Sequence, residues 1–270
     1  MGIDSLEIKV SVICPTYNHQ DFIATALKSI LMQKVDFGLE VLVGEDCSTD
    51  STRSEILPLV EQYPEIVKLV TYECNQGMAR NIANLIKLSR GKYIAYCEGD
   101  DYWTDVNKLQ IQFDKLEEDL SLVAVYTRYI VLRNGSFSEE SFGGDAKSLS
   151  QMLLIKSNPM PTLSVMFRNK ISSIPSDFYK SPISDLFLWS MLGWYGSALR
   201  LDNIFPCVYR VHEGGAISLK KQNVKYGMLS RTFWCLFCYY AKDRKFYFSF
   251  YFFMKSIRFK SLAATYCSFL

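Results

Sequence analysis

The chain has 270 residues, 49% of them hydrophobic and 21% charged, with a formal net charge of +2. These values exclude a wholly disordered, collagen-like or coiled-coil chain and leave one large folded domain, or a domain with a smaller appendage. The charge balance conceals an asymmetry, because ten Lys or Arg face the single acid Asp243 in residues 220–270, so a tail of net +9 follows a body of net −7.

In residues 8–126, short β-branched runs alternate with segments of helical period, which predicts strand-helix-strand units around a largely parallel sheet. Strands are expected at 9–14, 40–44, 67–72, 93–97 and 122–126, and helices at 21–33, 52–62 and 79–89, with Gly91 stopping the third helix. Residues 133–158 are polar, contain Gly135, Gly143 and Gly144, and read as a loop leading to a second lobe of the same domain. A strand at 163–167, a helix at 185–193 and a strand at 207–211 complete the body. The tail holds 16 of the 39 aromatic residues between Tyr226 and Leu270, in two apolar runs, 232–241 and 246–254, split by Lys242-Asp243-Arg244-Lys245. Neither run reaches the ~20 apolar residues that span a bilayer, so the tail is expected to lie on a membrane surface with its aromatics at headgroup depth and its bases facing anionic lipid. The alternative is a helical pair packed on the body.

Most of the eight cysteines sit alone in apolar runs and read as buried hydrophobes of a reducing compartment. Cys235 and Cys238 form a C-x-x-C without a second pair or a nearby His, so a zinc or redox role is not expected. The N-terminus lacks the basic start and apolar stretch of a secretory signal, which points to a cytoplasmic address.

Ligands of such sheets bind outside the carboxyl ends of the strands, and these ends are polar here. They carry Pro15-Thr16-Tyr17-Asn18, then Glu45-Asp46 with Asp50, then Asn75-Gln76-Gly77, then Glu98-Gly99-Asp100-Asp101. The last cluster places three carboxylates within four residues, and these repel unless a cation offsets them. Mg²⁺ or Mn²⁺ suits oxygen donors; an acidic turn capping the next helix is the plainer account. Asp46 stands where an acceptor could read a base edge or a ribose hydroxyl, whereas Asp50 or Ser51 suits a helix cap. Arg80 falls in a helical first turn, where the dipole disfavours a base, so pairing with a phosphate or an acid is one reading and a surface arginine the other. Neither G-x-G-x-x-G nor the P-loop motif occurs.

The runs VSVICPTYN (10–18), VLVGEDCSTDST (41–52), NQGMARN (75–81), GKYIAYCEGDDYW (91–103) and YRVHEGGAIS (209–218), in this order, resemble the family 2 glycosyltransferases of the GT-A fold. The resemblance implies a nucleotide-binding α/β fold in residues 1–219, followed by the tail, 220–270. It implies that Pro15, Tyr17 and Asn18 border the nucleotide pocket, that Asp46 contacts uracil, and that Glu98-Gly99-Asp100 stands at the D-x-D motif with Asp100 on the metal. Glu98 replaces the usual first Asp, which leaves direct ligation to Asp100 and a role through water or a sugar hydroxyl to Glu98; Asp101 joins the donor site. Ser184-Asp185 matches the segment that carries the base, making Asp185 the catalytic candidate, with an ordinary helix N-terminal acid as the alternative. His212 is implied near the diphosphate or metal, with a structural histidine as the alternative, while His19 reads as a loop residue.

The activity so implied is inverting, metal-dependent transfer of a hexose, glucose or galactose, from a UDP-sugar. A polyisoprenyl-diphosphate-linked saccharide is the expected acceptor, for instance GlcNAc-diphosphoundecaprenol, giving a β-linkage in O-antigen or another surface polysaccharide. Nucleic acid is not an expected partner. A sugar nucleotidyltransferase would ordinarily carry a glycine-rich basic loop after strand one, where this chain has PTYNHQ. A non-catalytic membrane-surface module has only the Glu98 and Ser184 departures in its favour.

Overall fold

The computed structural model describes residues 7–267 except 139, 142, 158, 159 and 216. In chain order the first half runs β1 (Ile8–Thr16), α1 (Ile23–Leu31), β2 (Gly38–Glu45), α2 (Thr52–Gln62), β3 (Val67–Thr71), α3 (Met78–Leu88), β4 (Tyr93–Tyr96), α4 (Lys108–Glu118) and β5 (Leu122–Thr127). The second half runs β6 (Tyr129–Arg133), β7 (Ser136–Ser138), β8 (Ser148–Leu149), α5 (Gln151–Lys156), β9 (Met166–Arg168), α6 (Ser184–Leu192), β10 (Ser197–Leu201), β11 (Cys207–Val211), α7 (Gln222–Lys242) and α8 (Phe246–Cys267).

The main sheet has the order β3-β2-β1-β4-β9-β5-β10-β8. Pairing is parallel among β3, β2, β1 and β4 and again between β5 and β10, while β9 lies antiparallel between the two blocks. A small second sheet, β11-β6-β7, holds the strand that brings His212 back to the site.

Central strands are buried on both faces, so their side chains alternate between two cores. In β1, Val10, Val12 and Cys14 meet Ile23, Leu27 and Ile30 of α1 and Leu109 and Leu116 of α4. Ile13 points to the opposite core, which holds Ile82 and Leu85 of α3, Phe187 and Trp189 of α6, and Phe233, Leu236 and Tyr240 of α7. Burying a large apolar side chain contributes ~1.5–3 kcal/mol, so α7 is bonded into the body by its own core residues.

Three expectations need correction. Residues 133–158 are not one loop: β7, β8 and α5 lie there, with the Ser150 side chain capping α5 by accepting from the Leu153 amide. These elements are two to six residues long; β7 and β8 exist through pairing with β6 and β10, and α5 through packing on α6 and β10, which local periodicity does not register. The strands β6 and β10 were likewise not expected, and the stretch expected as a strand at 163–167 opens as a 3-10 turn, Thr162–Ser164, before β9. Finally, Gly91 does not stop α3, which ends at Leu88 with Ser89 extended. A Cβ at Gly91 would lie 2.6 Å from the Ser11 amide nitrogen, so this glycine serves the close approach of the chain to β1.

The tail is a hairpin of two long helices with mixed allegiance. Phe248 and Phe252 of α8 turn inward to Phe233 and Tyr240. On the other side Phe246, Tyr247, Phe250, Met254 and Ile257 are each about half exposed or more and follow helical spacing along one stripe. No helix among the described residues is long and apolar enough to cross a membrane.

Candidate active site

A cavity of about 610 Å³ opens at the carboxyl edge of the sheet. One wall is made by Pro15, Thr16 and Tyr17 after β1, Asp46 after β2, Asn75 and Gly77 after β3, and Glu98, Asp100 and Asp101 after β4. The opposite wall comes from Thr162, Asp185 at the first turn of α6, Tyr209 of β11, the segment through Gly214, Gly215 and Ser218, and Lys225 of α7. Parallel strands end on one side of a sheet, so chain segments far apart in sequence deliver their polar ends to one cleft.

The centre of the cleft is Asp100. Its Oδ2 lies 3.1 Å from His212 Nε2 and 3.7 Å from His19 Nε2. Burial would raise the Asp100 pKa, but the His212 hydrogen bond and the neighbouring histidine charges outweigh it and hold the carboxyl below its ordinary value. Burial lowers the His19 pKa, which favours the neutral ring with a lone pair to offer, so the hold on Asp100 rests chiefly on the His212 bond. His19 Nδ1 meets Thr16 Oγ1 at 3.2 Å, and its backbone amide donates to Thr52 Oγ1. His19, Asp100 and His212 each offer one donor atom, all within 4.8 Å of one another, and among the described residues they are the one such group. Two imidazoles and a carboxylate fit a divalent transition ion such as Mn²⁺ better than Mg²⁺, which prefers oxygen alone. His19 is therefore no mere loop residue. The sequence signal was a rare residue type directly after the first strand-end cluster.

Around Asp100 the other acids differ in state. Glu98 is pushed well above the ordinary carboxyl range by burial and by the Asp100 charge, and its Oε2 has no hydrogen-bond partner. Asp101 is raised by the same two causes, and its Oδ1 accepts from the Arg210 amide at 2.8 Å. Arg210 also donates from its guanidinium to the Asp100 carbonyl at 2.9 Å and lies over the Tyr102 ring at 4.4 Å. Sequence reading assigned Arg210 no role, yet it ties β11 to the acidic turn. None of the three acids caps α4, which begins only at Lys108.

The Asp46 carboxylate, 3% exposed, accepts from the Gln76 amide at 2.7 Å and the Gly77 amide at 2.9 Å. It thus pins the start of α3 while facing the cavity, and burial raises its pKa. Asn18 does not line the cavity; in the left-handed conformation (φ 55°) it bonds the Ser48 hydroxyl and the Thr49 amide, joining the β1 and β2 loops. Arg80 is exposed and also outside the lining, where Asn81, one residue on, takes its place. Asp50, not Ser51, serves the start of α2 by accepting from the Thr52 amide and hydroxyl. Asp185 Oδ2 accepts from Thr162 Oγ1 at 3.3 Å and Oδ1 from the Leu186 amide at 2.8 Å, which fixes the plane of the carboxylate. The C-x-x-C thiols lie on α7, both with raised pKa through burial, Cys235 to about 11; such thiols are poor metal ligands.

Comparison with known proteins places these residues in context. The family model described as glycosyl transferase family 2 matches residues 11–172. An uncharacterized protein of Mycobacterium tuberculosis is 30% identical over 165 residues, covering 60% of this chain and 48% of that protein, so the chain spans about half the length of this relative. The UDP-Glc:alpha-D-GlcNAc-diphosphoundecaprenol beta-1,3-glucosyltransferase WfgD of Escherichia coli is 26% identical over 217 residues, 80% of this chain and 82% of that one. The fold resembles the mannosyltransferase PcManGT from Pyrobaculum calidifontis, solved with GDP-Man and Mn²⁺, at a TM-score of 0.64 and 18% identity over 95% of this chain and 73% of that one.

Proposed function

The chain belongs to glycosyl transferase family 2, and from that premise we propose that it is an inverting glycosyltransferase moving a hexose from a UDP-sugar to a lipid-diphosphate-linked sugar in surface-polysaccharide synthesis. The observation that carries this reading is the placement of His19, Asp100 and the oriented Asp185 carboxylate on one cavity, with His212 hydrogen-bonded to Asp100. The name of the E. coli relative supports UDP-glucose as the donor and lipid-linked GlcNAc as the acceptor.

Pro15, Tyr17 and Asp46 bind the nucleoside end of the donor, with the base stacked toward the exposed Tyr17 ring. His19, Asp100 and His212 would hold a divalent cation, which supplies positive charge against the growing charge of the departing diphosphate. Asp185 takes the proton of the acceptor hydroxyl, an effect of about 10² to 10⁴ in rate. Thr162 and the Leu186 amide hold that carboxylate in place on the cavity wall. One base opposite one leaving group gives a single displacement, turning an α-linked donor into a β-linked product. Glu98, close to Asp100 and with its buried Oε2 unpartnered, is placed to bond a sugar hydroxyl or water.

Residues 1–219 form the catalytic unit in this reading, and 220–270 hold it against the cytoplasmic face of an anionic membrane. The outward stripe Phe246, Phe250, Met254 and Ile257, flanked by Arg244, Arg258 and Lys260, suits such a surface. The seven described cysteines, all unpaired, accord with that compartment.

The test is incubation with a panel of nucleotide sugars, Mn²⁺ and a lipid-diphosphate GlcNAc, following the leaving nucleotide. Release of UDP with a β-linked lipid disaccharide, lost in Asp185→Asn, is expected. Pyrophosphate release would instead select a nucleotidyltransferase, and no release with any donor would refute the reading.

A further inference from the structure

We infer that Lys225 of α7 is the residue that grips a diphosphate in this cavity, so that the C-terminal hairpin contributes to the active site as well as to its attachment. The inference rests on the glycosyltransferase reading above and deepens it.

The described lining carries five carboxylates, Asp46, Glu98, Asp100, Asp101 and Asp185, against one Lys or Arg, Lys225. A diphosphate brings further negative charge into this space, and the chain offers a single permanent cation to meet it there. Lys225 Nζ donates to the Ser218 carbonyl at 2.9 Å, which spends one of three ammonium donors. No carboxylate among the described residues lies within ion-pair distance of it. The two remaining donors are free for an anion.

Its position in the helix is unusual for a base. Lys225 stands in the first turn of α7, at the positive end of the helix dipole, and that turn contains no acid. Lys220 and Lys221, both exposed, precede it. Of the three, only Lys225 reaches the cavity, where a helix start favours an anion.

The bond to Ser218 also sets the direction of the grip. Ser218 ends the segment that starts at His212, whose ring meets Asp100. The lysine is thereby held at Ser218, on the same cavity that Asp100 lines. The same α7 packs against α6, which carries Asp185, through Phe187 and Tyr239 with ring centres 5.4 Å apart. The cation and the base are held by one pair of helices.

A diphosphate could come from the donor nucleotide or from the lipid-linked acceptor, and two arms of one experiment tell them apart. Full-length protein, Lys225→Met and Lys225→Arg are titrated with UDP, GDP and uridine in the presence of Mn²⁺, after thermal unfolding has confirmed that each variant is folded. A charge-assisted contact implies that Lys225→Met weakens UDP by about 10- to 100-fold, leaves uridine within about twofold, and is largely rescued in Lys225→Arg. In the second arm, unchanged UDP affinity with a raised KM for a lipid-diphosphate acceptor, but not for a phosphate-free glycoside acceptor, assigns the grip to the acceptor. Equal UDP affinity and equal acceptor KM in Lys225→Met and the native chain overturn the inference. If Lys225→Met fails to fold, Lys225→Gln takes its place with the same two criteria. A native chain that binds no nucleoside diphosphate sinks the glycosyltransferase reading itself, a result distinct from failure of the lysine alone.

Discussion

Lys108 is fully buried on α4, its Nζ 2.7 Å from Gln112 Oε1 and 4.1 Å from the centre of the Trp103 ring. It underlies the turn that presents Asp100 and Asp101, because Trp103 follows that turn directly. Burial lowers the ammonium from its ordinary 10.5 to about 8, with the nearby Asp105 charge opposing only in part. A fall of that size corresponds to about 3 kcal/mol of destabilisation whenever the group is charged in the folded state. Below pH ~8 both folded and unfolded chains hold the proton and the cost is complete. Between about 8 and 10.5 the unfolded chain keeps the proton while the folded one releases it, so stability rises with pH; above that window both are neutral and the cost has gone. Lys108→Met removes this term and leaves Gln112 Oε1 without its donor, a loss of ~1–3 kcal/mol. The two effects nearly cancel at pH 7, so the offset there is uninformative and the slope decides. Urea unfolding of both proteins from pH 7 to 10.5 should show the native chain gaining about 3 kcal/mol relative to Lys108→Met. Other titrating groups are common to both proteins and drop out of the difference. Parallel curves across the window would mean that Lys108 is hydrated or paired, and the reasoning would fail.

Three further outcomes are expected. Outer partners of metal ligands alone are worth 10- to 100-fold, so His19→Ala, which removes a direct donor, should weaken Mn²⁺ by about tenfold or more in calorimetric titration; unchanged affinity would take His19 out of the cation site. A Cβ at Gly44 would lie 2.0 Å from Asn81 Oδ1, and Asn81 donates to the Gly44 carbonyl at 2.7 Å while lining the cavity. Gly44→Ala should therefore cost about 1–3 kcal/mol of stability and lower nucleotide affinity, with native values in both measurements counting against the packing described. Phe250 and Met254 are exposed on the outward stripe of α8, so the double change to Ser should reduce binding to anionic vesicles about tenfold or more with the fold intact. Undiminished sedimentation with vesicles would remove the membrane from the reading. Deleting the whole tail is a poor substitute, since Phe233, Leu236 and Tyr240 belong to the core.

The alternating apolar runs of the first 126 residues placed β1 to β5 and α1 to α3 close to where they lie, because a strand buried on both faces declares itself in its own side chains, whereas the span of α4 was not expected. The rule that ligands gather at the carboxyl ends of parallel strands then located Asp46, Glu98, Asp100 and Asp101 before any contact was seen. Other features were decided only by closure of the chain. His19 and His212 lie 193 residues apart and meet at Asp100 through the return of β11; no local pattern encodes that approach. The short elements β7, β8 and α5 depend on partners elsewhere, and β9 inserts antiparallel between two parallel blocks. In the tail, composition showed aromatics and bases in abundance, but which ring faces the core and which faces outward follows from how α7 docks on α6. Periodic burial is a property of neighbouring residues and can be read along the chain, whereas a site assembled from distant segments depends on the free energy of the whole packed structure.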